Sequence, residues 1–290
     1  MFKIALIILQ IFILKYKKKL KLCICTLGKS ENRYIREFVE YYKKYGVDKI
    51  FLYDNNDING ERFEEVISDY IKKGFVEIID YRGIPFALTK IMDNCYQKNY
   101  DKFDWLIFYE IDEFIYLKNF YNIKLFLNQK IFNNCKKIQL NWVHRSDNNL
   151  IYYENKSVVE RFKERGINVK KNKFNRLAYI KSMIRGHMNN ITITNNHLLE
   201  NKINGCNGFG NEIKLKFILN LKPDYEYYYI NHYYGKSLEE FVQKLKRGDI
   251  QLGITKKNNL YQIKKYFYIN KLTNEKLDYH FFLLNFLFHF

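Results

Sequence analysis

Phe103-Asp-Trp-Leu-Ile-Phe-Tyr-Glu-Ile-Asp-Glu-Phe114 decides the reading of this chain. The apolar run Trp105 to Tyr109 has the length and composition of a buried strand, and it ends in three acids within four residues, Glu110, Asp112 and Glu113. Unpaired carboxylates are costly to bury, so such a cluster belongs at a strand end, facing a cation or a cationic side chain. If the strand continued, Glu110 and Asp112 would point the same way, whereas a turn beginning at Ile111 would let both approach one ion. A metal site and a strand end salt-bridged to lysines are both compatible with the spacing.

Upstream lie three strand-helix units. Leu20 to Thr26 predicts a first strand, Glu31 to Tyr45 a helix with Tyr34, Ile35, Phe38, Val39 and Tyr42 at helical spacing, and Lys49 to Tyr53 a second strand. A helix over Glu61 to Lys73, a strand at Phe75 to Ile79 and a helix over Phe86 to Tyr100 then lead into the acidic strand. This order predicts an α/β fold with a Rossmann-like, mostly parallel central sheet and helices on both faces. Thr26, Asp54 and Asn55 fall at the ends of the first two strands, where such folds place ligand-contacting groups; the run through Gly60 also has turn chemistry.

Downstream, Lys137 to His144 predicts a strand opening into a polar loop. Trp142, His144 and Asp147 there supply an aromatic platform, a hydrogen-bonding ring and a carboxylate for an acceptor pocket, or else ordinary core. The basic run from Val158 to Lys173 reads as a solvated or membrane-facing surface, and Ala178 to Arg185 and Ile191 to Thr194 as strands around a Gly186-His187 turn. Tyr227 to His232 predicts another strand. Ser237-Leu-Glu-Glu240 is a capping box that opens a helix ending at Arg247-Gly248.

The chain has 49 basic against 31 acidic residues and a formal charge of +18 over 290 residues, which favours anionic partners without choosing among them. Five scattered cysteines form no zinc-knuckle spacing and are expected reduced, in a cytoplasmic protein. Residues 1–19 form a short apolar segment with a basic flank, below the roughly 20 residues that span a bilayer. Residues 249–290 form a helical, apolar extension, and both ends offer contact with an anionic membrane surface at the inner face.

Four stretches carry a resemblance: Glu31 to Tyr42 with Gly46-Val47 and Tyr53-Asp-Asn55; Glu110 to Phe114; Ser157-Val-Val-Glu-Arg-Phe162; and Asn231 through Gly248. Together they resemble the GT-A-fold glycosyltransferases, in the group of family 2-like and family 92-like enzymes of bacterial and viral surface-polysaccharide loci. The resemblance implies transfer of a sugar from a UDP- or GDP-type nucleoside diphosphate sugar to a carbohydrate or glycolipid acceptor, as in lipopolysaccharide synthesis, by an enzyme of the inverting class within residues 20–248. It implies a Mn²⁺ or Mg²⁺ ion held by Asp112, Glu110 and His232, with Glu110 departing from the family's aspartate. Donor contacts would come from Thr26, Glu31, Asp54, Asn55, Lys236 and Arg247. The base for the acceptor hydroxyl stays open among Asp147, Glu113, His144 and Glu160.

Three other classes compete. A catalytically inactive membrane-surface scaffold suits the terminal segments and Glu110, and a nucleotidyltransferase shares the sheet and the carboxylates but needs a richer phosphate loop than Gly28-Lys29-Ser30. A nucleic-acid partner is not expected, because the 26 tyrosines fall largely at helix and strand spacing, where packing explains them.

Overall fold

The computed structural model describes residues 19–85, 88–166, 178–200, 202–213, 219–220, 223–248 and 256–270. The amino-terminal apolar segment, the carboxyl-terminal aromatic segment and the lysines at 170, 171 and 173 lie outside the described residues.

The predicted strand-helix order is observed. Strand β1 (Leu22–Gly28) leads through α1 (Asn32–Lys44) to β2 (Lys49–Asp54), then α2 (Glu64–Lys72), β3 (Val76–Asp80), α3 (Leu88–Asn99) and β4 (Trp105–Ile107). These four strands are parallel in the order β3-β2-β1-β4. Alternation along β1 divides the core: Leu22 and Ile24 face α1 and α2, whereas Cys23, Cys25 and Leu27 face α3. Because β2 and β3 lie to one side of β1 and β4 to the other, the strand order reverses at β1, and in open α/β sheets the crevice at such a point takes ligands.

The remainder of the sheet is mixed. The elements are β5 (Glu113–Leu117), α4 (Ile123–Leu127), β6 (Lys137–His144), α5 (Val158–Arg161), β7 (Ala178–Arg185), β8 (Gly205–Cys206), β9 (Glu212–Ile213), β10 (Leu219–Asn220), β11 (Tyr228–His232), α6 (Leu238–Arg247) and α7 (Lys256–Ile269). The sheet continues β4-β7-β6-β11-β5, with β7 antiparallel to both β4 and β6, β11 parallel to β6, and β5 antiparallel to β11. The parallel expectation therefore holds for the amino-terminal half, and the antiparallel pairings belong to the half where hairpin-like returns replace helical crossovers.

Gly186 ends β7 against the 100–104 segment; a Cβ there would lie 1.7 Å from the Phe103 carbonyl oxygen, so only glycine fits. The expected strand at Ile191 to Thr194 is a loop instead. Its backbone is bound by side chains of α3: Asp93 accepts from Ile193 N at 2.8 Å and Gln97 donates to Ile191 O at 2.6 Å.

The cysteine expectation is corrected. Cys25 on β1 is bonded to Cys95 on α3, and Cys135 to Cys206 on β8, with Cα separations of 6.1 and 5.8 Å; Cys23 is a buried thiol. The partners lie 70 and 71 residues apart in sequence and meet only because α3 packs on β1 and β8 pairs with β6. Each closure of a loop this long is worth about 4 kcal/mol in the chain-entropy account.

Candidate active site

The acidic stretch resolves into a strand, a turn and a second strand. Strand β4 stops at Ile107, Glu113 N donates to Glu110 O at 3.0 Å, and β5 begins at Glu113, on the far edge of the sheet. Of the two alternatives, a continued strand and a turn beginning at Ile111, the turn is the form adopted. Register brings the distant histidine to it: His232, the last residue of β11, pairs with Glu113 on one side and His144 on the other, and Tyr233 N donates to Asp112 O at 2.9 Å. His232 Nε2 lies 3.6 Å from Asp112 Oδ1.

Each acid has a cationic neighbour. Lys181, fully enclosed on β7, reaches Glu110 Oε1 at 2.5 Å and Glu113 Oε1 at 3.3 Å, and Lys244 on α6 donates to Asp112 Oδ2 at 3.0 Å. Burial pushes all three carboxyls upward. Lys181 outweighs it for Glu110, and Lys244 with His232 outweighs it for Asp112, so both sit below the ordinary carboxylate range. For Glu113, burial prevails over Lys181, and the nearby charges of Glu110 and Asp112 add to it, so its carboxyl is held well above that range. The salt-bridged and metal-site readings therefore meet in one cluster.

Asp112, Glu113 and His232 each offer a ligand atom within 4.8 Å of the others, close to the span across a divalent cation. Asp112 Oδ1 and His232 Nδ1 are buried without hydrogen-bond partners, and burial lowers the His232 pKa to about 4, leaving a neutral ring. Asp112, a neutral imidazole and Glu113, which would give up its proton to a bound ion, form a donor set that fits a divalent cation. Glu110, committed to Lys181, stands outside this trio.

A cleft of about 190 Å³ opens over the cluster, between the end of β1 and the turn after β4. Lys29, Lys244, Arg247 and Lys265 bring four positive charges to its wall, against Glu31, Glu110 and Asp112. Gly28 lets the walls approach, since a Cβ there would stand 2.6 Å from both Ile111 Cδ1 and Phe63 Cζ. Trp142 lines the cleft with its ring centroid 4.0 Å from that of His232 and 5.1 Å from that of His197.

Helix α6 carries Lys244 and Arg247, and its placement rests on one buried hub. The capping box forms as predicted: Glu240 N donates to Ser237 Oγ, and Ser237 N donates to Glu240 Oε2 at 3.0 Å. Glu240 also takes both arms of Arg161 at 2.7 and 2.9 Å and the Tyr34 hydroxyl at 2.8 Å. Its pKa falls to about 2, because Arg161 and Ser237 overcome the effect of burial. The basic run read as surface thus contributes a buried arginine. Helix α7 then packs on α6 through Phe241, Ile263 and Tyr266 and brings Gln262 and Lys265 to the cleft.

The predicted residues separate accordingly. Glu31, Glu110, Asp112, His232 and Arg247 line the cleft; Arg247 bridges Glu31 at 2.5 Å and donates to Lys29 O. Glu113 lies fully buried behind it. His144 lies beside His232, the ring centroids 5.0 Å apart and the planes tilted by 37°, with its pKa lowered by burial, outside the lining. Asp147 accepts from Tyr266 at 2.7 Å and anchors α7 instead. Glu160 is exposed on α5 and is not part of the lining. Thr26 and Asp54 are buried and outside the lining, and Asp54 accepts from Asn56 N at 2.9 Å. The Asn55 amide donates to Tyr81 O and Ile84 O at 2.8 and 2.7 Å, so it ties a loop rather than facing the cleft. Lys236 lines a neighbouring pocket.

The sequence reading missed several residues of the site: His197, Lys244, Gln262 and Lys265, which line the cleft, and Lys181, enclosed behind it. Lys181 carries a signal: it is the one charge inside Ala178-Tyr-Ile-Lys-Ser-Met-Ile184, in a chain with three clustered acids needing a counter-ion. His197 sits in an irregular loop and gives none. Its Nδ1 lies 2.7 Å from Ile180 O, a pure acceptor, and burial lowers its pKa to about 4; Nδ1 therefore bears the proton, which leaves Nε2 as the acceptor nitrogen.

Comparison with known proteins identifies the family. A Glycosyltransferase family 92 protein of Ricinus communis is 28% identical over 112 residues, 38% of this chain and 20% of that protein. One of Oryza sativa subsp. japonica is 28% identical over 109 residues, 34% and 17% of the two chains. The matched part thus spans about a fifth of the length of these curated relatives. Among solved structures, S. aureus TarS 1-349 in complex with UDP-GlcNAc gives a TM-score of 0.43 at 12% identity, covering 92% of this chain and 73% of that one. Residues 18–271 match the profile of Glycosyltransferase family 92, and the chain belongs to that family.

Proposed function

We propose that the protein transfers a sugar from a nucleoside diphosphate sugar, of UDP or GDP type, to a glycan or lipid-linked acceptor, with a Mn²⁺ or Mg²⁺ ion at Asp112, Glu113 and His232. The observation that carries this reading is the meeting of those three ligands beneath a cleft walled by Lys29, Lys244, Arg247 and Lys265. Departure of a nucleoside diphosphate builds negative charge, and a bound divalent cation would supply stabilisation of that charge. Lys244 and Arg247, fixed by α6, hold positive charge on the same side, and Lys265 adds to it from α7.

For an inverting displacement, His197 is the cleft group best suited to receive the acceptor proton. Its Nε2 is unprotonated, and the Ile180 carbonyl fixes the tautomer. Trp142 offers an apolar face beside it for a sugar ring.

Incubation with a panel of nucleotide sugars and Mn²⁺ tests the reaction class. Release of nucleoside diphosphate is expected; release of pyrophosphate would turn the reading to nucleotidyl transfer. We further propose that the domain works in an oxidising compartment beside a membrane, in place of the cytoplasmic setting expected above. The two disulfides support this. Among the described residues no helix is long and apolar enough to cross a membrane. Alkylation of the protein unfolded in denaturant without reductant should then label Cys23 but none of Cys25, Cys95, Cys135 and Cys206, and labelling of all five would reverse the placement.

A further inference from the structure

A second pocket of about 460 Å³ adjoins the cleft, separated from it by the Glu31–Arg247 ion pair, whose two residues line both spaces. Five cations face it: Arg33, Lys236, Lys244, Lys246 and Arg247. Its acids are already engaged. Glu240 is held by Arg161, Glu31 by Arg247, and Glu61 accepts from Asn32 N at 2.9 Å. The wall thus carries five cations against the three acids Glu31, Glu61 and Glu240, a net positive charge.

Lys236 is the unusual member. Its side chain is only 5% exposed, yet its ammonium makes no hydrogen bond among the described residues: the nearest acid oxygen, Glu31 Oε2, is 3.9 Å away, and the Tyr34 ring centroid is 4.0 Å away. The side chain is thus packed along its length while its ammonium lines the pocket, so its three donors are turned toward whatever occupies that space. Lys236 also holds a left-handed backbone, φ 55°, which is unfavourable for a long side chain and is kept only where the surroundings impose it. Beside it, Glu31 Oε2 is buried without a hydrogen-bond partner. An unmet donor and an unmet acceptor thus stand 3.9 Å apart on the wall between the two spaces.

We propose that this second pocket binds the acceptor through an anionic group, a phosphate or carboxylate carried on a sugar, with Lys236 taking the anion and Glu31 Oε2 receiving a neighbouring hydroxyl. Arg33 and Lys246 complete the positive wall. This deepens the transferase reading and rests on it, because it assigns the pocket next to the donor cleft to that reaction's second substrate. Lys236, expected from the sequence among the donor contacts, is thereby moved to the acceptor.

The experiment is calorimetry with glucose 6-phosphate, inorganic phosphate and glucose, each titrated into the full chain with and without saturating UDP and Mn²⁺. Glucose 6-phosphate and phosphate should bind in both conditions, with glucose at least tenfold weaker than glucose 6-phosphate. Lys236→Met should weaken glucose 6-phosphate at least tenfold and leave UDP affinity within twofold, while Lys236→Arg retains most of the binding. Arg33→Gln alters an exposed side chain and should weaken it severalfold; it decides the matter alone if Lys236→Met does not fold. Absence of phosphate binding to the UDP-saturated protein, or no effect of these substitutions, overturns the proposal. An equal loss of UDP affinity in Lys236→Met also overturns it, since the pocket then belongs to the donor. Failure of UDP to bind wild type counts against the donor reading alone, because the titrations without UDP still report on Lys236.

Discussion

Arg161→Met should cost the fold about 3 kcal/mol at neutral pH, and the cost should fade in acid. Glu240 is 4% exposed, and its pKa falls from 4.5 to about 2 through Arg161, Ser237 and Tyr34 acting against burial. That difference of roughly 2.5 units corresponds to about 3 kcal/mol, within the range of roughly 3–5 kcal/mol for removing one partner of a buried ion pair. A depressed folded-state pKa contributes stability that is fully present above pH 4.5 and is lost as pH falls through about 2. In the variant the same carboxyl is buried without its partner, so its folded pKa rises and protonation relieves the strain. Wild type should therefore lose stability from pH 4.5 toward 2 while the variant loses less, and the two should converge. Urea denaturation at a series of pH values measures this directly. A stability difference that stays constant from pH 7 to pH 3 would refute the assignment of Glu240 as an ionised hub and leave only lost packing.

Three other perturbations address the site. Lys181→Met leaves Glu110 and Glu113 without their shared ammonium and should destabilise the metal-free protein by about 3–5 kcal/mol; thermal melts should show Mn²⁺ restoring more stability to the variant than it adds to wild type, and equal gains would mean the lysine does not compete with the ion. Gly28→Ala forces a Cβ to within 2.6 Å of Ile111 and of the fully buried Phe63; about 1–3 kcal/mol of overpacking strain is expected, with weaker UDP binding because Ile111 lies between Glu110 and Asp112, and an unchanged affinity would show that the turn absorbs it. His197→Asn should abolish transfer to an acceptor while leaving UDP affinity within twofold, and retained transfer would remove His197 from the reaction.

The sequence made the amino-terminal half legible because its information is local. Helical spacing in Tyr34 to Tyr42 and short apolar strands fix β1 through β4, and a parallel order follows from the crossovers. Asp112 and His232 were legible as residue types, but their meeting depends on β11 running antiparallel to β5 at the far edge of the sheet, a pairing of residues about 120 apart in the chain. The same limit hid the disulfides, whose partners meet only after the sheet is assembled. Arg161 was read as surface because charge runs usually are; its burial is intelligible only once Glu240 stands opposite. Asp147, a plausible base in the sequence, turns out to be spent on Tyr266.

The central claim is that Asp112, Glu113 and His232 form a cation site serving a nucleoside diphosphate in the cleft above them. Calorimetric titration of UDP and GDP into wild type and Asp112→Ala, with Mn²⁺ and with EDTA, tests it most directly. The account predicts that one of the two nucleotides binds wild type at least tenfold more tightly with Mn²⁺ than with EDTA, and that Asp112→Ala abolishes this enhancement. Equal affinity with and without Mn²⁺, or an enhancement that survives Asp112→Ala, would contradict it.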